Sequence, residues 1–253
     1  MGEPQLDALL VQRNIILILL LMLAAAAWAV LVWATPGHVG MDTPVASSTG
    51  IYATLFLTSW VVMMVAMMFP ATAPMFLAFH KDQSAKYQPD DAFAFTWIFI
   101  TAYLFVWALA GIAAYTGELV ASAVRYSLGP TIAAQLGGVV ILLAGVYQLT
   151  PLKELCLREC RMAIATTTWH GEKTNLFNMG LLHGFFCVGC YLPLFVTLYP
   201  LGMSIGAMAV ITFIVLAEKA LPWPTPVRYT TAVVLVLYGA MVAVGGGFIP
   251  PMR

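Results

Sequence analysis

The sequence predicts an all-α fold, a polytopic transmembrane helix bundle of about seven spans with a cytoplasmic N-terminus. Its 253 residues are 62% hydrophobic and 9% charged, with a mean hydropathy of +0.92, whereas an ordinary soluble domain carries roughly 25% charged residues. The apolar residues also fall into stretches near the ~20 residues that a helix needs to cross hydrocarbon, and these stretches use most of the chain. A formal net charge of zero excludes the basic field of a nucleic-acid binder and the acidic tail of a solvating arm.

The expected spans are residues 14–35, 51–78, 93–116, 131–149, 177–198, 201–218 and 227–247. The first is longer than the apolar core of a signal peptide and lacks a small-residue cleavage site, so it is expected to be retained. Within the second, Pro70 and Pro74 each remove a backbone donor and crowd the preceding turn, which predicts a kink or a broken helix. Tyr199-Pro200-Leu201-Gly202 makes a tight turn between the fifth and sixth spans, and Gly245 to Gly247 end the last.

Orientation follows from the basic residues. With the N-terminus inside, Arg13, Lys81, Lys86, Lys153, Arg158, Arg161, Lys173, Lys219 and Arg228 face the cytoplasm, nine of the eleven, and Arg125 and Arg253 lie outside. Trp97, Trp107 and Trp223 are expected as interface anchors or packing.

Three constellations carry soft donors. His183, Cys187 and Cys190, in HGFFCVGC, are spaced by four and three, which places them on one face of a helix. Thiolate and imidazole suit monovalent copper or zinc, and the scarcity of carboxylates argues against calcium or magnesium. The alternative is that the thiols pack as small apolar groups and the imidazole bonds to a neighbouring helix. A second pair, Cys156 and Cys160 in PLKELCLRECR, also shares a helical face; Lys153, Arg158 and Arg161 beside it favour the thiolate. Its alternative is a solvated juxtamembrane helix. The third is the run MMVAMM, where Met63 and Met67 stack at four residues and Met64 and Met68 do the same, with Met75 further along. Thioethers bind monovalent copper without releasing protons, although a methionine stripe also serves as packing. His80 is expected solvated at the inner surface, Glu218-Lys219 as a snorkelling lysine beside an acid, and His38 and His170 in loops.

The segments 149–161 (LTPLKELCLRECR), 180–190 (GLLHGFFCVGC), 60–76 (WVVMMVAMMFPATAPMF) and 216–222 (LAEKALP) resemble the family of predicted metal-binding integral membrane proteins, long catalogued as a domain of unknown function. That family includes a membrane copper chaperone associated with a bacterial tyrosinase. The resemblance spans residues 58–222 and implies copper delivery to an oxidase. It marks Met63, Met64, Met67, Met68, Cys156, Cys160, Cys187 and Cys190 as characteristic. Two positions depart from the pattern: Tyr191 stands where members often have a second cysteine, and Met203-Ser204 where they often have Met-Asn.

The resulting expectation is a single integral membrane domain, residues 1–253 with a core at about 51–222, in a bacterial inner membrane. It handles monovalent copper, with zinc as the rival metal, through Cys187, Cys190, His183, Cys156, Cys160 and the four methionines. Its partners are the bilayer and a copper-requiring enzyme or another copper carrier, not nucleic acid, and it is not itself an enzyme. Two other classes fit the same residues. One is a thiol-disulfide oxidoreductase with two cysteine pairs and a quinone; the other is a structural accessory subunit whose cysteines and methionines pack helices.

Overall fold

The computed structural model describes residues 3–34, 49–165 and 175–245; His38, His170, Lys173, Arg253 and Gly246-Gly247 lie outside them. The described residues form seven helices in the order α1 (Glu3–Ala34), α2 (Thr49–Ser84), α3 (Pro89–Gln148), α4 (Pro151–Ala165), α5 (Asn175–Val196), α6 (Ile205–Ala220) and α7 (Pro224–Gly245), with no strand among them. Five helices, α1, α2, α3, α5 and α7, are long and apolar enough to cross a membrane. Their outer faces carry exposed large apolar side chains such as Met22, Phe105, Phe185 and Leu237, a surface too apolar for water.

The expected spans at 93–116 and 131–149 both fall in α3, a 60-residue helix broken at Gly129, whose φ of 78° and ψ of 168° are not helical. A side chain there would meet its own backbone, so glycine supplies the bend, and Pro130 starts the helix that follows. The sixth expected span is α6, only 16 residues long. Ser204 caps it by accepting from the Ala207 amide at 3.3 Å. Serine and asparagine are equally good helix caps, which accounts for the departure at Met203-Ser204.

The chain divides into two compact units. The first comprises Met1–Leu109 and Arg158–Cys187. Here α1 packs along α2, and α5 approaches α3 through Gly180 and Gly184: a Cβ on Gly180 would lie 2.5 Å from the Phe99 carbonyl oxygen. Two small residues four apart let helices pack this closely. The expected break in α2 is absent, because helix continues through Pro70 and Pro74 to Ser84. Pro70 cannot donate to the Ala66 carbonyl, and the Trp28 indole N–H donates to that oxygen instead, at 3.0 Å. A neighbouring donor thus satisfies the group that proline orphans.

The second unit comprises Ala110–Leu157 and Val188–Arg253. In it α3 and α7 meet at Gly138 and Gly239, where a Cβ on Gly239 would lie 2.5 Å from the Leu142 amide nitrogen. Pro193 inside α5 leaves the Gly189 carbonyl without its helical donor, and the Tyr147 hydroxyl donates to it at 2.7 Å.

Candidate metal centre

In the first unit the candidate donors sit on α2, α4 and α5. Met63, Met64, Met67 and Met68 are at most 2% exposed, so the two i, i+4 stacks face the core rather than lipid. Ahead of them on the same helix, Phe76 packs edge-on against Phe69, Phe99 and Tyr103. Tyr103 is the centre of this region. Its hydroxyl lies 3.3 Å from the Cys187 sulfur, within sulfur hydrogen-bond range. Its ring lies 5.7 Å from the imidazole of His183, which Phe99 flanks at 6.0 Å. His183 and Cys187 therefore share a face of α5, as their spacing predicts. Tyr103 is also within electrostatic reach of Cys160 on α4, itself buried.

His80 is buried rather than solvated at a surface. Its Nδ1 is 3.2 Å from the Thr96 hydroxyl, and Ser84 reaches its Nε2 at 3.5 Å. Thr96 and Ser84 tie the imidazole to α3 and to the next turn of α2.

In the second unit the thiols of Cys156 and Cys190 sit on α4 and α5. A Cβ on Gly189 would lie 3.1 Å from the Cys156 sulfur, so α4 rests against α5 at the residue preceding Cys190. Tyr147, bonded to the Gly189 carbonyl, is within electrostatic reach of both Cys156 and Cys190. Cys190 is buried and Cys156 half-buried.

Beside these thiols is a feature that sequence reading assigned otherwise. Lys153, expected on a solvated basic face, is fully buried. Its ammonium sits 2.8 Å from the Glu218 carboxylate, donates to the Cys190 carbonyl oxygen at 3.0 Å, and lies 4.1 Å from the centre of the Tyr191 ring. Glu218 is buried as well, paired with Lys153 rather than accompanying a snorkelling Lys219. Tyr191 thus has a definite task where relatives often carry cysteine: its ring face meets the buried cation. Arg228 is likewise buried against Glu154, at 3.3 Å. A charge inside an apolar bundle persists only when paired. The sequence signal for it was an acid and a lysine within otherwise apolar helices, too far apart in the chain to pair by inspection.

None of the four cysteines is in a disulfide. Among the described residues, no three or more His, Cys, Asp or Glu side chains gather as a metal site. Sulfur donors therefore come in twos here, with thioethers and one imidazole in the same unit as Cys160 and Cys187.

Long apolar helices that bury thiols, thioethers and an imidazole define a helical protein furnished with soft-metal donors. The chain belongs to the PpoB2 copper chaperone family, whose model matches residues 57–242. No curated protein and no solved structure matches it.

Proposed function

We propose that this protein is an integral membrane copper chaperone that binds monovalent copper in its helix bundle and delivers it to a copper-requiring enzyme or another carrier, without catalysing a reaction. The observation that carries this reading is the burial of the soft donors within the family match. Met63, Met64, Met67, Met68, Cys160, His183, Cys187 and Cys190 are all buried, and with half-buried Cys156 they all lie between residues 57 and 242. Thiolates hold monovalent copper firmly, and thioethers hold it without proton exchange. Such a set lets an ion move by ligand replacement where water cannot solvate it. Zinc suits the set less well, since its structural sites take four ligands from Cys, His and carboxylate and make no use of thioether.

In this reading the bundle lies in a bacterial inner membrane with its N-terminus in the cytoplasm and seven crossings. At 1.5 Å per residue, α3 is about 90 Å long, three times the ~30 Å of hydrocarbon, so its break at Gly129 makes two crossings of one helix. The shorter α6 crosses with local thinning of the bilayer.

The test is metal content and copper X-ray absorption of the detergent-purified protein after loading with monovalent copper under reducing conditions. Wild type should retain copper with sulfur neighbours, and a variant with all four cysteines changed to serine should lose it. A wild type that retains no stoichiometric copper sinks the reading and returns the thiols to redox exchange or packing.

A further inference from the structure

The sequence groups the thiols by proximity along the chain: Cys156 with Cys160, and Cys187 with Cys190. The fold groups them differently. Cys160 and Cys187 belong to the first unit, Cys156 and Cys190 to the second. The Tyr103 hydroxyl touches the Cys187 sulfur and has Cys160 as an electrostatic neighbour. In the second unit the Cys156 sulfur rests on Gly189, one residue from Cys190, and Tyr147 binds the carbonyl of that same glycine.

We propose that copper is held in two thiol stations, each built from one cysteine of α4 and one of α5: Cys160 with Cys187 in the first unit, and Cys156 with Cys190 in the second. This rests on the copper reading above and adds the ligand pairing and a capacity of two ions per chain. Two thiolates complete a coordination that monovalent copper accepts and that zinc, with its four ligands, does not. It also agrees with donors that gather in twos among the described residues.

Each tyrosine fixes one station. Tyr103 sets its hydroxyl against the Cys187 sulfur, an outer contact of the sort that orients a metal ligand. Tyr147 acts on backbone, holding the carbonyl that Pro193 leaves without a helical donor, and Lys153 holds the next carbonyl, that of Cys190. When an ion arrives from a thiolate carrier, two copper–sulfur bonds break on the carrier and two form here. Copper stays monovalent, and the two thiol protons pass to the carrier sulfurs.

Double variants separate this pairing from the one suggested by chain proximity. Thiolate-bound copper is counted by its ultraviolet charge-transfer absorption, which thioether ligands do not contribute, together with metal content. Wild type should hold two equivalents. Cys160→Ser/Cys187→Ser and Cys156→Ser/Cys190→Ser should each hold one, and Cys156→Ser/Cys160→Ser none, since it removes one thiol from each station. The reverse outcome, one equivalent in Cys156→Ser/Cys160→Ser and none in Cys160→Ser/Cys187→Ser, overturns the pairing and leaves the copper reading intact. A single equivalent in wild type overturns the two stations; no copper in wild type overturns the copper reading itself. Because a double variant can fail to fold, the wild-type protein is also oxidised with diamide and its peptides mapped. Cross-links Cys160–Cys187 and Cys156–Cys190 are expected, and any other pattern overturns the pairing.

Discussion

Around Cys187 the first unit buries thioethers, aromatic rings and an imidazole, whereas around Cys190 the second unit buries an ammonium against a carboxylate. Both surroundings are apolar, and both place a tyrosine beside the α5 segment that carries the thiol, yet the electrostatics differ. Tyr103 offers Cys187 a hydroxyl dipole. In the second unit, Lys153 brings a full positive charge to the backbone of Cys190 while Glu218 balances it. A bis-thiolate copper ion carries a net negative charge, which is costly to bury alone. A nearby paired cation can redistribute toward it. The comparison teaches that one bundle can build soft donors into two electrostatic settings, one dipolar and one ionic.

The largest expected effect breaks the ionic setting. Lys153→Met leaves the Glu218 carboxylate buried without its partner, and removing one member of a buried pair costs about 3–5 kcal/mol. Thermal unfolding in detergent should show a large loss, and adding Glu218→Leu should restore most of it, since well-packed apolar replacements of such pairs are often neutral. A Lys153→Met protein as stable as wild type would mean that the carboxylate is not truly desolvated, and the contrast between the units would disappear.

A smaller effect tests whether each setting depends on its own helix packing. Gly180→Ala would place a methyl 2.5 Å from the Phe99 carbonyl in the first unit, and Gly239→Ala a methyl 2.5 Å from the Leu142 amide in the second. Overpacking of this kind costs about 1–3 kcal/mol, so both should melt earlier. They should differ in thiol reactivity. In a chain whose other three cysteines are serine, Gly180→Ala should speed maleimide labelling of Cys187, because it pushes α5 from the α3 segment that carries Tyr103. Gly239→Ala should leave that rate unchanged. Equal acceleration by both would show that Cys187 answers to global loosening and not to its own contact.

Much of this was legible in the chain because helical periodicity is local. The spacing of four between His183 and Cys187 does place both against Tyr103, and the stacked methionines do face inward. The second proline of the comparison, Pro193, was visible as a letter but its consequence was not: the orphaned Gly189 carbonyl is met by Tyr147, a residue of another helix. The same holds for Trp28, which keeps α2 intact past Pro70, and for Lys153, whose counter-charge Glu218 is on α6. Each is a tertiary answer to a local deficit. Sequence shows the deficit, a missing donor or an unneutralised charge, and packing alone decides which distant side chain supplies it. His80 misled for the same reason, since nothing near it in the chain announces Thr96.

The smallest expected stability effect bears most directly on function. Met64 and Met67 are fully buried, and two explanations compete: they fill the helix interface, or they carry copper. Leucine separates them, because it nearly matches methionine in volume and such exchanges cost less than about 1.5 kcal/mol, while it removes the only donor atom in the side chain. Met64→Leu/Met67→Leu should therefore melt close to wild type and keep its thiolate-bound copper. Release of that copper to a competing chelator should slow several-fold if thioethers accept the ion as thiolates let it go. Unchanged release would assign the stripe to packing and leave the first unit distinguished from the second by its aromatic and imidazole surroundings. Faster release would make the methionines part of the holding site itself, with thioether completing a third coordination position beside Cys160 and Cys187.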